Sequence, residues 1–600
     1  MDTAHYILQH TFGYSAFRGQ QADIIQALLA GEDALVVMPT GGGKSLCYQI
    51  PALARPGVAV VVSPLIALMQ DQVLALRALG VNAGFINSTL SAQAFFEMEN
   101  ALLAGAIKIL YVAPERLVQQ RTLDLLAHCH LSLLAIDEAH CVAQWGHDFR
   151  ADYLKLDMLA SLFPQVPRIA LTATADPRTQ QEIIDRLHLS QAQQFIGGFD
   201  RPNIQYRIEL KDRPRVQLLN FLKKEQQGNS GIVYCLSRDK VDKTAEWLRE
   251  QNYHALPYHA GLPLNVREEN QRRFLRDDAV VMVATIAFGM GIDKPDVRFV
   301  AHLDMPKSIE AYYQETGRAG RDGEAATALL LYGFEDVIKL RQMAEKSEGN
   351  EQFRRQEQQR LYAMLALCEM ASCRRQALLG YFGDELKEPC GNCDNCLAPP
   401  LSWDATEPAQ KVLSTIYRSG QRFGSQHIID IVRGEATEKI KQYQHHELST
   451  FGIGKNLTET QWRSVLRQLT ARGFIDVDTE GFGSLRLNDS CRPILRGEST
   501  LLLRQELPSA KQEKTGTGKS KGEEVPSHLL PFWYALRACR KRLADSAGVP
   551  PYVVFHDSTL KELMRKKPQN LRQLGLISGV GDNKLKKYGD EFLAVVKEFA

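Results

Sequence analysis

A glycine-rich segment that ends in a lysine and a serine, Gly41-Gly42-Gly43-Lys44-Ser45, follows an apolar run and opens a helical stretch. Glycines let backbone N–H groups approach phosphate oxygens, and the N-terminus of the following helix adds partial positive charge. Lys44 can reach the β- and γ-phosphates of a nucleotide, and the Ser45 hydroxyl can bind Mg²⁺. The strict phosphate-loop pattern has glycine at position 38, where this chain has Met38. The alternative is a glycine-rich turn that precedes a helix and binds nothing.

Two adjacent carboxylates, Asp137 and Glu138, end the apolar run 133–136. A carboxylate at the carboxyl end of a parallel strand points into the crevice where ligands bind. We therefore expect Asp137 to hold Mg²⁺, directly or through water, and Glu138 to polarise the attacking water as a general base. An isolated Asp-Glu pair is usually a solvated loop. Because this pair follows a phosphate loop and has a strand of its own, it predicts the second half of a nucleoside-triphosphate hydrolase site.

Two arginines, Arg318 and Arg321, stand three residues apart among glycines in the segment 314–323. A guanidinium stays charged and grips phosphate through two hydrogen bonds, so this pair can reach across a cleft to a γ-phosphate. A surface pair held in salt bridges is the alternative for an isolated segment of this kind. We expect both arginines to complete the hydrolytic site.

Four of the 11 cysteines gather in one place with the spacing C-x16-C-x2-C-x2-C, at Cys373, Cys390, Cys393 and Cys396. Four thiolates at this spacing can form a closed tetrahedral Zn²⁺ site, which is structural because no coordination position stays open. An iron–sulfur cluster is the rival, since it also takes four cysteines. The other cysteines are scattered, which indicates a reducing compartment and not a disulfide framework.

The elements that position these residues alternate between short β-branched runs and helical stretches from Asp33 to about Tyr332. This alternation is typical of βαβ units and of parallel sheets covered on both faces, and it restarts after Arg201-Pro202-Asn203. The fold class is therefore expected to be α/β, with two tandem parallel-sheet lobes. The predicted strands are 34–38, 58–63, 107–112, 133–136 and 169–171, followed by 231–235, 280–284, 297–303 and 328–331.

The second half of the chain changes character several times. Trp462, Val465, Leu466 and Leu469 mark one face of a helix, and the runs 474–477 and 484–487 predict a β-hairpin after it. A helix followed by a hairpin fits a winged-helix domain, and a generic small packing domain fits the pattern about as well. Residues 509–524 contain no apolar side chain larger than alanine, which predicts a flexible linker. The expected divisions are lobes at 1–197 and 198–335, a helical cysteine-bearing unit at 336–400, a winged-helix domain at 401–508, a linker at 509–525 and a helical domain at 526–600.

Charge is nearly balanced over the whole chain, with a net charge of +2, but residues 526–600 hold 13 Lys and Arg against 7 Asp and Glu. A basic terminal domain on a near-neutral body indicates a polyanion as its partner. Tyr552 and Lys584 offer a ring and a cation suited to a single nucleic-acid strand, and a solvated basic helix face is the alternative. No apolar stretch reaches the roughly 18 residues that a membrane span needs, and the first residues do not predict a secretory signal.

These segments together resemble the motor of superfamily 2 helicases and, more closely, the RecQ family of DNA helicases. The resemblance covers nearly the whole chain, and its most specific part is the segment 144–150, Gln-Trp-Gly-His-Asp-Phe-Arg. It implies two RecA-like lobes, a helical zinc-binding module, a winged-helix domain and an HRDC-like helical domain. The motifs that carry it are 17–21, 38–45, 63–66, 137–140, 144–150, 172–174, 287–293 and 314–323.

The resemblance assigns roles to further residues. It implies that Gln21 reads adenine, that the aromatic-rich loop couples single-stranded DNA binding to hydrolysis, and that the four cysteines bind zinc. Gly19 stands where many members of the family carry proline, so we expect a softer loop around Gln21. The implied ATP-binding residues are Tyr14, Arg18, Gln21, Thr40, Gly41, Gly42, Gly43, Lys44 and Ser45, and the implied DNA-binding residues of the loop are Trp145, His147, Phe149 and Arg150.

The expected function is ATP- and Mg²⁺-dependent unwinding of duplex DNA, with 3′→5′ movement and roles in recombination, repair, the SOS response and replication-fork maintenance implied by the family. An RNA helicase, a duplex translocase that separates no strands and a non-enzymatic scaffold are the alternatives. The expected location is the bacterial cytoplasm, at the nucleoid. Besides single- and double-stranded DNA, the expected partners are a type I topoisomerase and a single-stranded-DNA-binding protein, whose acidic tail would meet Arg492 and Arg496.

Overall fold

The structure is a computed structural model, and it describes residues 2–39, 41–143, 150–289, 294–345, 351–478, 484–505 and 525–599. Two parallel sheets occupy the first half of the chain, which confirms the expected α/β class with two lobes. A helical cysteine-bearing unit, a small α+β domain and a helical bundle follow them. Among the described residues, no helix is both long enough and apolar enough to span a membrane.

The first lobe is a seven-stranded parallel sheet with helices on both faces. Its strands are β1 (Ala34–Val37), β2 (Val58–Val62), β3 (Ala83–Ile86), β4 (Ile109–Val112), β5 (Leu131–Ile136), β6 (Arg168–Thr172) and β7 (Gln193–Ile196). Its helices are α1 (Asp2–His10), α2 (Gln21–Ala30), α3 (Lys44–Ala54), α4 (Ile66–Ala78), α5 (Ala92–Leu103), α6 (Pro114–Leu117), α7 (Gln120–Ala127), α8 (Ala151–Leu154), α9 (Met158–Leu162) and α10 (Pro177–Arg186). The strand order is β3-β4-β2-β5-β6-β1-β7.

This strand order brings the chemical motifs of the first lobe to one edge of the sheet. Strand β6 lies between β1 and β5. Thr172 of β6 is opposite Val37 of β1, and Ala170 of β6 is opposite Ile136 of β5. All three strands are parallel, so their carboxyl ends meet at the same edge. The phosphate loop after β1 and the carboxylates after β5 therefore face a common crevice.

The second lobe repeats the architecture with six parallel strands in the order β10-β11-β9-β12-β13-β8. Its strands are β8 (Ile204–Leu210), β9 (Gly231–Tyr234), β10 (His254–Tyr258), β11 (Val280–Ala284), β12 (Phe299–His302) and β13 (Ala326–Tyr332). Its helices are α11 (Pro214–Glu225), α12 (Arg238–Glu250), α13 (Leu264–Arg276) and α14 (Ile309–Thr316). All the residues of β9, β11, β12 and β13 are buried, as expected for parallel strands covered on both faces.

The cysteine-bearing unit shares its apolar core with both lobes. The Phe382 ring stacks on Phe199 at 5.1 Å between centroids and lies 4.9 Å from Tyr313. Phe199 belongs to the segment that connects the lobes, so this unit packs directly against the interlobe connection. Its helices are α15 (Phe334–Glu345), α16 (Glu351–Glu369), α17 (Arg374–Tyr381) and α18 (Asp394–Leu397).

The next domain has the helix and hairpin of the predicted winged helix. All four residues of the predicted helix face are at most 1% exposed, and the two predicted runs pair antiparallel. Residues 479–483, between the two strands, lie outside the described residues. The elements are β14 (Ser402–Asp404), α19 (Thr406–Arg418), α20 (Ser425–Arg433), α21 (Glu438–Gln442), α22 (Glu459–Ala471), β15 (Ile475–Asp478), β16 (Ser484–Leu487), α23 (Arg492–Leu495) and β17 (Leu502–Arg504).

The C-terminal bundle has its own apolar core and docks on both lobes. On the first lobe, the Gly579 N–H donates to the Gly13 carbonyl at 2.8 Å, and Asp582 meets His10 at 3.0 Å. On the second lobe, Lys561 pairs with Glu324 at 2.7 Å. The predicted linker at 509–524 lies outside the described residues. The bundle helices are α24 (Leu530–Ala547), α25 (Pro551–Val554), α26 (Asp557–Lys566), α27 (Leu571–Leu574) and α28 (Asp582–Glu598).

Candidate active site between the two lobes

The phosphate loop joins β1 to α3 and carries Lys44 as the first residue of that helix. Gly41 and Gly43 adopt φ angles of +83° and +79°, a backbone conformation that favours glycine. The Lys44 ammonium donates to the main-chain carbonyls of Met38 at 3.0 Å and Pro39 at 3.2 Å. Burial lowers the pKa of Lys44, while Glu138 and Asp137 oppose that shift. Thr40, a predicted ATP-binding residue, lies outside the described residues.

Met38, which departs from the strict phosphate-loop pattern, is 7% exposed and packs in the core of the first lobe. The left-handed positions of the turn are supplied by Gly41 and Gly43. The loop therefore needs no glycine at position 38, because Met38 directly follows β1 and is buried together with that strand.

The two carboxylates stand at the carboxyl end of β5, as predicted. Burial and the neighbouring Glu138 raise the pKa of Asp137 to about 7, while Lys44 lowers it. The Asp137 carboxylate accepts a hydrogen bond from the Glu138 N–H at 3.0 Å, and the Tyr153 hydroxyl donates to the Asp137 carbonyl at 2.9 Å. Glu138 has a φ angle of +50°, a conformation that a non-glycine residue adopts only when its surroundings impose it. A strained acidic residue at a strand end is a frequent feature of catalytic sites.

The predicted adenine reader, Gln21, reaches the phosphate loop through its amide. Its Nε2 donates to the Gly43 carbonyl at 3.1 Å, and its Oε1 accepts from the Arg18 N–H at 2.9 Å. Gln21 is 1% exposed, Arg18 is exposed and Tyr14 is half-buried. The Gln21 amide thus ties the segment before α2 to the turn that would hold phosphates.

Gly19, two residues before Gln21, has a φ angle of +48°. Proline is locked near −65° and cannot adopt this value. The glycine therefore permits a backbone conformation that a proline would exclude. The sequence predicted only a more flexible loop at this position.

The two predicted arginines occupy different environments. A Cβ atom built on Gly41 would lie 3.5 Å from Cγ of Arg321, so this arginine stands beside the phosphate loop. Arg318 is 4% exposed, and its Nη2 would lie 3.0 Å from a Cβ atom built on Gly289 of its own lobe. The structure thus brings Arg321 to the first lobe and places Arg318 inside the second.

The predicted aromatic-rich loop is described only at its end. Trp145, His147 and Phe149 lie outside the described residues. The Arg150 guanidinium donates to the Pro64 carbonyl at 3.0 Å, which anchors the end of the loop to the segment after β2.

The four predicted zinc ligands come together. The Sγ atoms of Cys373, Cys390, Cys393 and Cys396 all lie within 4.8 Å of one another. A tetrahedral site with Zn–S bonds of about 2.3 Å places its sulfur atoms roughly 3.8 Å apart. The N–H groups of Gln376 and Cys390 donate to Cys373 Sγ at 3.5 Å and 3.3 Å, and such bonds favour the thiolate form that binds metal. The residues present therefore fit a structural zinc ion.

The arginines that follow the first cysteine are buried and do not face solvent. Arg374 donates to the Asp394 carboxylate at 2.7 Å and is 1% exposed. Arg375 is 3% exposed, and it donates to the Ile204 carbonyl at 2.5 Å and pairs with Asp200 at 3.4 Å. Both arginines support the junction between the zinc-binding unit and the lobes.

The other predicted contact residues differ in exposure. Arg492 and Arg496 are exposed on one helical turn, and each has an acidic neighbour: Asp489 at 2.7 Å and Glu498 at 3.7 Å. Lys584 is only 9% exposed, and burial lowers its pKa to about 8. Lys584 is therefore not on an open basic face; along α28 it is in register with Tyr588 and Phe592, which belong to the core of the bundle. Tyr552 is half-buried and lines a small cavity at the junction with the second lobe.

Sequence reasoning missed Arg201 and Asn203, which hold the loop that carries the two arginines. The Asn203 amide donates to the carbonyls of Gly320 and Glu324, both at 2.8 Å. The segment 200–203 served only as a boundary marker in the sequence. Its Asp, Arg and Asn side chains, close to a glycine pair, were the signal that could have identified it as part of the functional site.

Comparisons with known proteins cover the whole chain. The DEAD/DEAH box helicase model matches residues 18–183, and the helicase conserved C-terminal domain model matches 214–323. The RecQ zinc-binding, RQC and HRDC domain models match residues 334–397, 399–512 and 530–596.

Relatives that match nearly all of this chain agree with these family models. The chain is 46% identical to the ATP-dependent DNA helicase RecQ of Haemophilus influenzae over 99% of this chain and 96% of that protein. It is 39% identical to the Bacillus subtilis protein of the same name, over 100% of this chain and 99% of that protein. It is 35% identical to the RecQ-like DNA helicase BLM of Xenopus laevis, over 99% of this chain and 46% of that protein.

Proposed function

This chain belongs to the RecQ family of ATP-dependent DNA helicases, and we propose that Arg321 completes its ATPase site when the second lobe closes on the phosphate loop. The protein is an ATP-dependent DNA helicase that couples ATP hydrolysis to the unwinding of duplex DNA. Movement in the 3′→5′ direction and roles in recombination, repair and replication-fork maintenance are typical of the family. The observation that carries the proposal is the 3.5 Å between Cγ of Arg321 and a Cβ atom built on Gly41.

The first lobe supplies the groups that bind the phosphates of ATP and activate the attacking water. Lys44, which now donates to two carbonyls of its own loop, turns its ammonium to the phosphate oxygens of ATP. Glu138 accepts a proton from the attacking water as the general base. Mg²⁺ bound at Ser45 and Asp137 would neutralise charge on the phosphates. Arg321 then approaches from the second lobe and stabilises the charge that develops on the transferred phosphoryl group.

The adenine end of the site is formed by the segment before α2. When ATP binds, the Gln21 amide would exchange its bonds to the Gly43 carbonyl and the Arg18 N–H for the adenine edge, with Tyr14 and Arg18 beside it. The hydrogen bond from Gln21 to the Gly43 carbonyl supports this role, since it joins recognition of the base to the phosphate loop.

Lobe closure and release drive the motor along one DNA strand. We assign contact with the strand to Trp145, His147, Phe149 and Arg150, because aromatic rings stack on bases at about 1–3 kcal/mol each and tolerate any sequence. Tyr552 and Lys584 add a second contact when the C-terminal domain leaves the lobes. The position of Tyr552 in the small cavity at the junction with the second lobe supports this order of events.

The domain divisions proposed for this mechanism are 1–197 and 198–335 for the lobes, 336–400 for the zinc-binding module, 401–508 for the winged-helix domain, 509–525 for the linker and 526–600 for the HRDC-like domain. The separate apolar cores of the winged-helix and C-terminal domains support the last divisions.

Two protein partners and a location complete the proposal. The exposed guanidinium groups of Arg492 and Arg496 suit the acidic tail of a single-stranded-DNA-binding protein. A type I topoisomerase as a second partner rests on the family resemblance alone. The bacterial cytoplasm, at the nucleoid, is the proposed location because the DNA substrate lies there.

The test combines ATP hydrolysis with unwinding of a forked duplex. Wild type should hydrolyse ATP faster with single-stranded DNA than with RNA and should separate the fork, whereas Lys44→Ala should do neither. Arg321→Ala should bind ATP and fail to hydrolyse it. Stimulation by RNA alone, translocation without strand separation, or unwinding by Lys44→Ala would each contradict the proposal. Arg213→Gln, at an exposed position of the second lobe, is the matched control.

A further inference from the structure

The segment between the two lobes places one arginine at the point where the lobes meet. Strand β7 ends at Ile196 and β8 begins at Ile204, so Arg201 belongs to the chain crossing that joins them. Arg201 is 8% exposed although it carries a charge. A buried guanidinium has to satisfy its donors within the protein, so its partners indicate what it does.

Among the described residues, the Arg201 guanidinium donates to three carbonyls of the loop that carries Arg318 and Arg321. Its Nη1 donates to Gly317 at 3.1 Å, and its Nη2 donates to Ala319 at 2.8 Å and to Gly320 at 2.9 Å. A planar guanidinium with donors in a fixed fork defines the positions of all three carbonyls at once. Gly320 has a φ angle of +57°, so the loop has a defined backbone conformation at a residue that the Arg201 guanidinium contacts.

The same guanidinium adjoins the phosphate loop of the other lobe. A Cβ atom built on Gly41 would lie 3.4 Å from Nη1 of Arg201 and 3.5 Å from both Cα and Cγ of Arg321. The guanidinium of Arg201 that holds the loop of Arg318 and Arg321 therefore also lies beside the phosphate loop.

The zinc-binding unit fixes the residues on either side of Arg201. Asp200 pairs with Arg375 at 3.4 Å, and the Pro202 carbonyl accepts a hydrogen bond from the Asn392 amide at 3.2 Å. Asn392 lies between the ligands Cys390 and Cys393, and its N–H donates to Cys390 Sγ at 3.4 Å. The zinc-binding unit thus anchors the neighbours of Arg201 in the chain, while the Arg201 side chain holds the loop of Arg318 and Arg321.

We propose that Arg201 is a positioning residue for ATP hydrolysis: it holds the loop 317–320 so that Arg321 meets the γ-phosphate when the lobes close. Arg201 acts through Arg321 and makes no bond to the nucleotide itself. This inference rests on the proposed role of Arg321.

The test is a double-mutant cycle of Arg201→Gln and Arg321→Ala, read as kcat and KM for ATP at saturating single-stranded DNA. A misplaced catalytic group costs about 10²-fold in rate, so Arg201→Gln should lower kcat by roughly 10- to 100-fold. KM for ATP should stay within about twofold, because the phosphate loop still binds the nucleotide. The double variant should be no slower than Arg321→Ala, because the effect of Arg201 passes through Arg321. Arg201→Lys should recover little of the rate, because an ammonium cannot match the fork.

Several outcomes would overturn the inference. A large rise in KM with additive losses in the double variant would mean that Arg201 contacts the phosphate directly. An unchanged kcat with a lower melting temperature would mean that the residue only stabilises the fold. If Arg321→Ala itself hydrolyses ATP at the normal rate, the proposed function fails. If Arg321→Ala is slow and Arg201→Gln is normal, only this inference fails. Zinc content and the melting temperature establish that each variant is folded, and Arg213→Gln is the surface control.

Discussion

The Nδ1 atom of His140 lies 2.8 Å from Oγ1 of Thr172, so the segment after β5 and the end of β6 share a buried hydrogen bond. The same Nδ1 lies 3.4 Å from Oε2 of Glu138. Burial, Lys44 and Arg150 lower the pKa of His140 to about 3, so the ring is neutral and its contact with Glu138 is not an ion pair. Thr172 therefore orients a neutral imidazole that stands beside the proposed general base.

Removing this hydrogen bond should slow hydrolysis. We expect Thr172→Val to lower kcat for ATP about tenfold, since losing a buried hydrogen bond costs about 1–2 kcal/mol and removes the hydroxyl that orients the His140 ring. Thr172→Ser should keep most of the rate because the hydroxyl remains. DNA-stimulated ATP hydrolysis is the measurement, and equal rates for the valine variant and wild type would contradict a role of Thr172 in orienting His140.

The two arginines of the loop should differ in what they control. Arg321→Ala should lower kcat by about 10³-fold with little change in melting temperature, because an arginine that stabilises the transition state is worth at least that factor. Arg318→Ala should mainly lower the melting temperature, since Arg318 is buried within its own lobe and interacts with Tyr234. ATP hydrolysis and thermal unfolding measured on both variants distinguish the roles. A normal melting temperature with a large loss of kcat in Arg318→Ala would assign it a catalytic role as well.

Zinc removal should affect hydrolysis as well as folding. The ligand segment includes Asn392, which holds the interlobe carbonyl of Pro202, so Cys393→Ser should lose the metal, lower the melting temperature and reduce kcat. Metal content by atomic emission, thermal unfolding and ATP hydrolysis are the measurements. Cys491→Ser, at a buried cysteine of the winged-helix domain, should keep one zinc per chain. Iron with a visible absorption band in the wild type would favour the iron–sulfur alternative.

Docking of the C-terminal bundle should limit its access to DNA. Lys561 pairs with Glu324 of the second lobe, and both side chains are mostly buried, with 22% and 26% exposed. Glu324→Lys should weaken docking and make the salt dependence of single-stranded DNA binding steeper, because more cations reach phosphates. The further change Lys561→Glu should restore docking by reversing the pair. Identical salt slopes in wild type and Glu324→Lys would count against docking as a limit on DNA binding.

Acidic pH should lower the stability of the winged-helix domain. Burial, together with His445 and Lys439, lowers the pKa of His427 to about 4, well below the unfolded value of about 6.5. The folded state thus binds fewer protons than the unfolded state between these values, so the free energy of unfolding should fall by about 1–2 kcal/mol as the pH drops through this window.

Hydrogen exchange of the amides in α20, corrected for intrinsic rates, measures this effect at pH 7 and pH 5. His427→Gln cannot titrate and should show little pH dependence, whereas the exposed His128→Gln should behave as wild type. Equal protection of α20 at both pH values in the wild type would contradict this assignment.

The central strands were predictable because a parallel strand covered on both faces is a continuous apolar run, as in the fully buried β2. Strand β7 was missed because it lies at the sheet edge and only Phe195 of its four residues is buried. Strands β3, β8 and β10 were missed as well, and all three are also edge strands. An edge strand is covered less completely, so its residues carry a weaker apolar signal.

The sequence alone determined the chemistry that each segment can perform: a lysine in a glycine turn, paired carboxylates at a strand end, and four cysteines at metal-binding spacing. Those properties depend on residues within a few positions of one another. Only the tertiary structure decided that Arg321 and not Arg318 stands beside Gly41, that Arg201 holds their loop, and that Lys584 is buried. The first two depend on partners more than 100 residues away in the chain, and local spacing carries no information about such distant contacts. The third depends on which face of α28 packs inward.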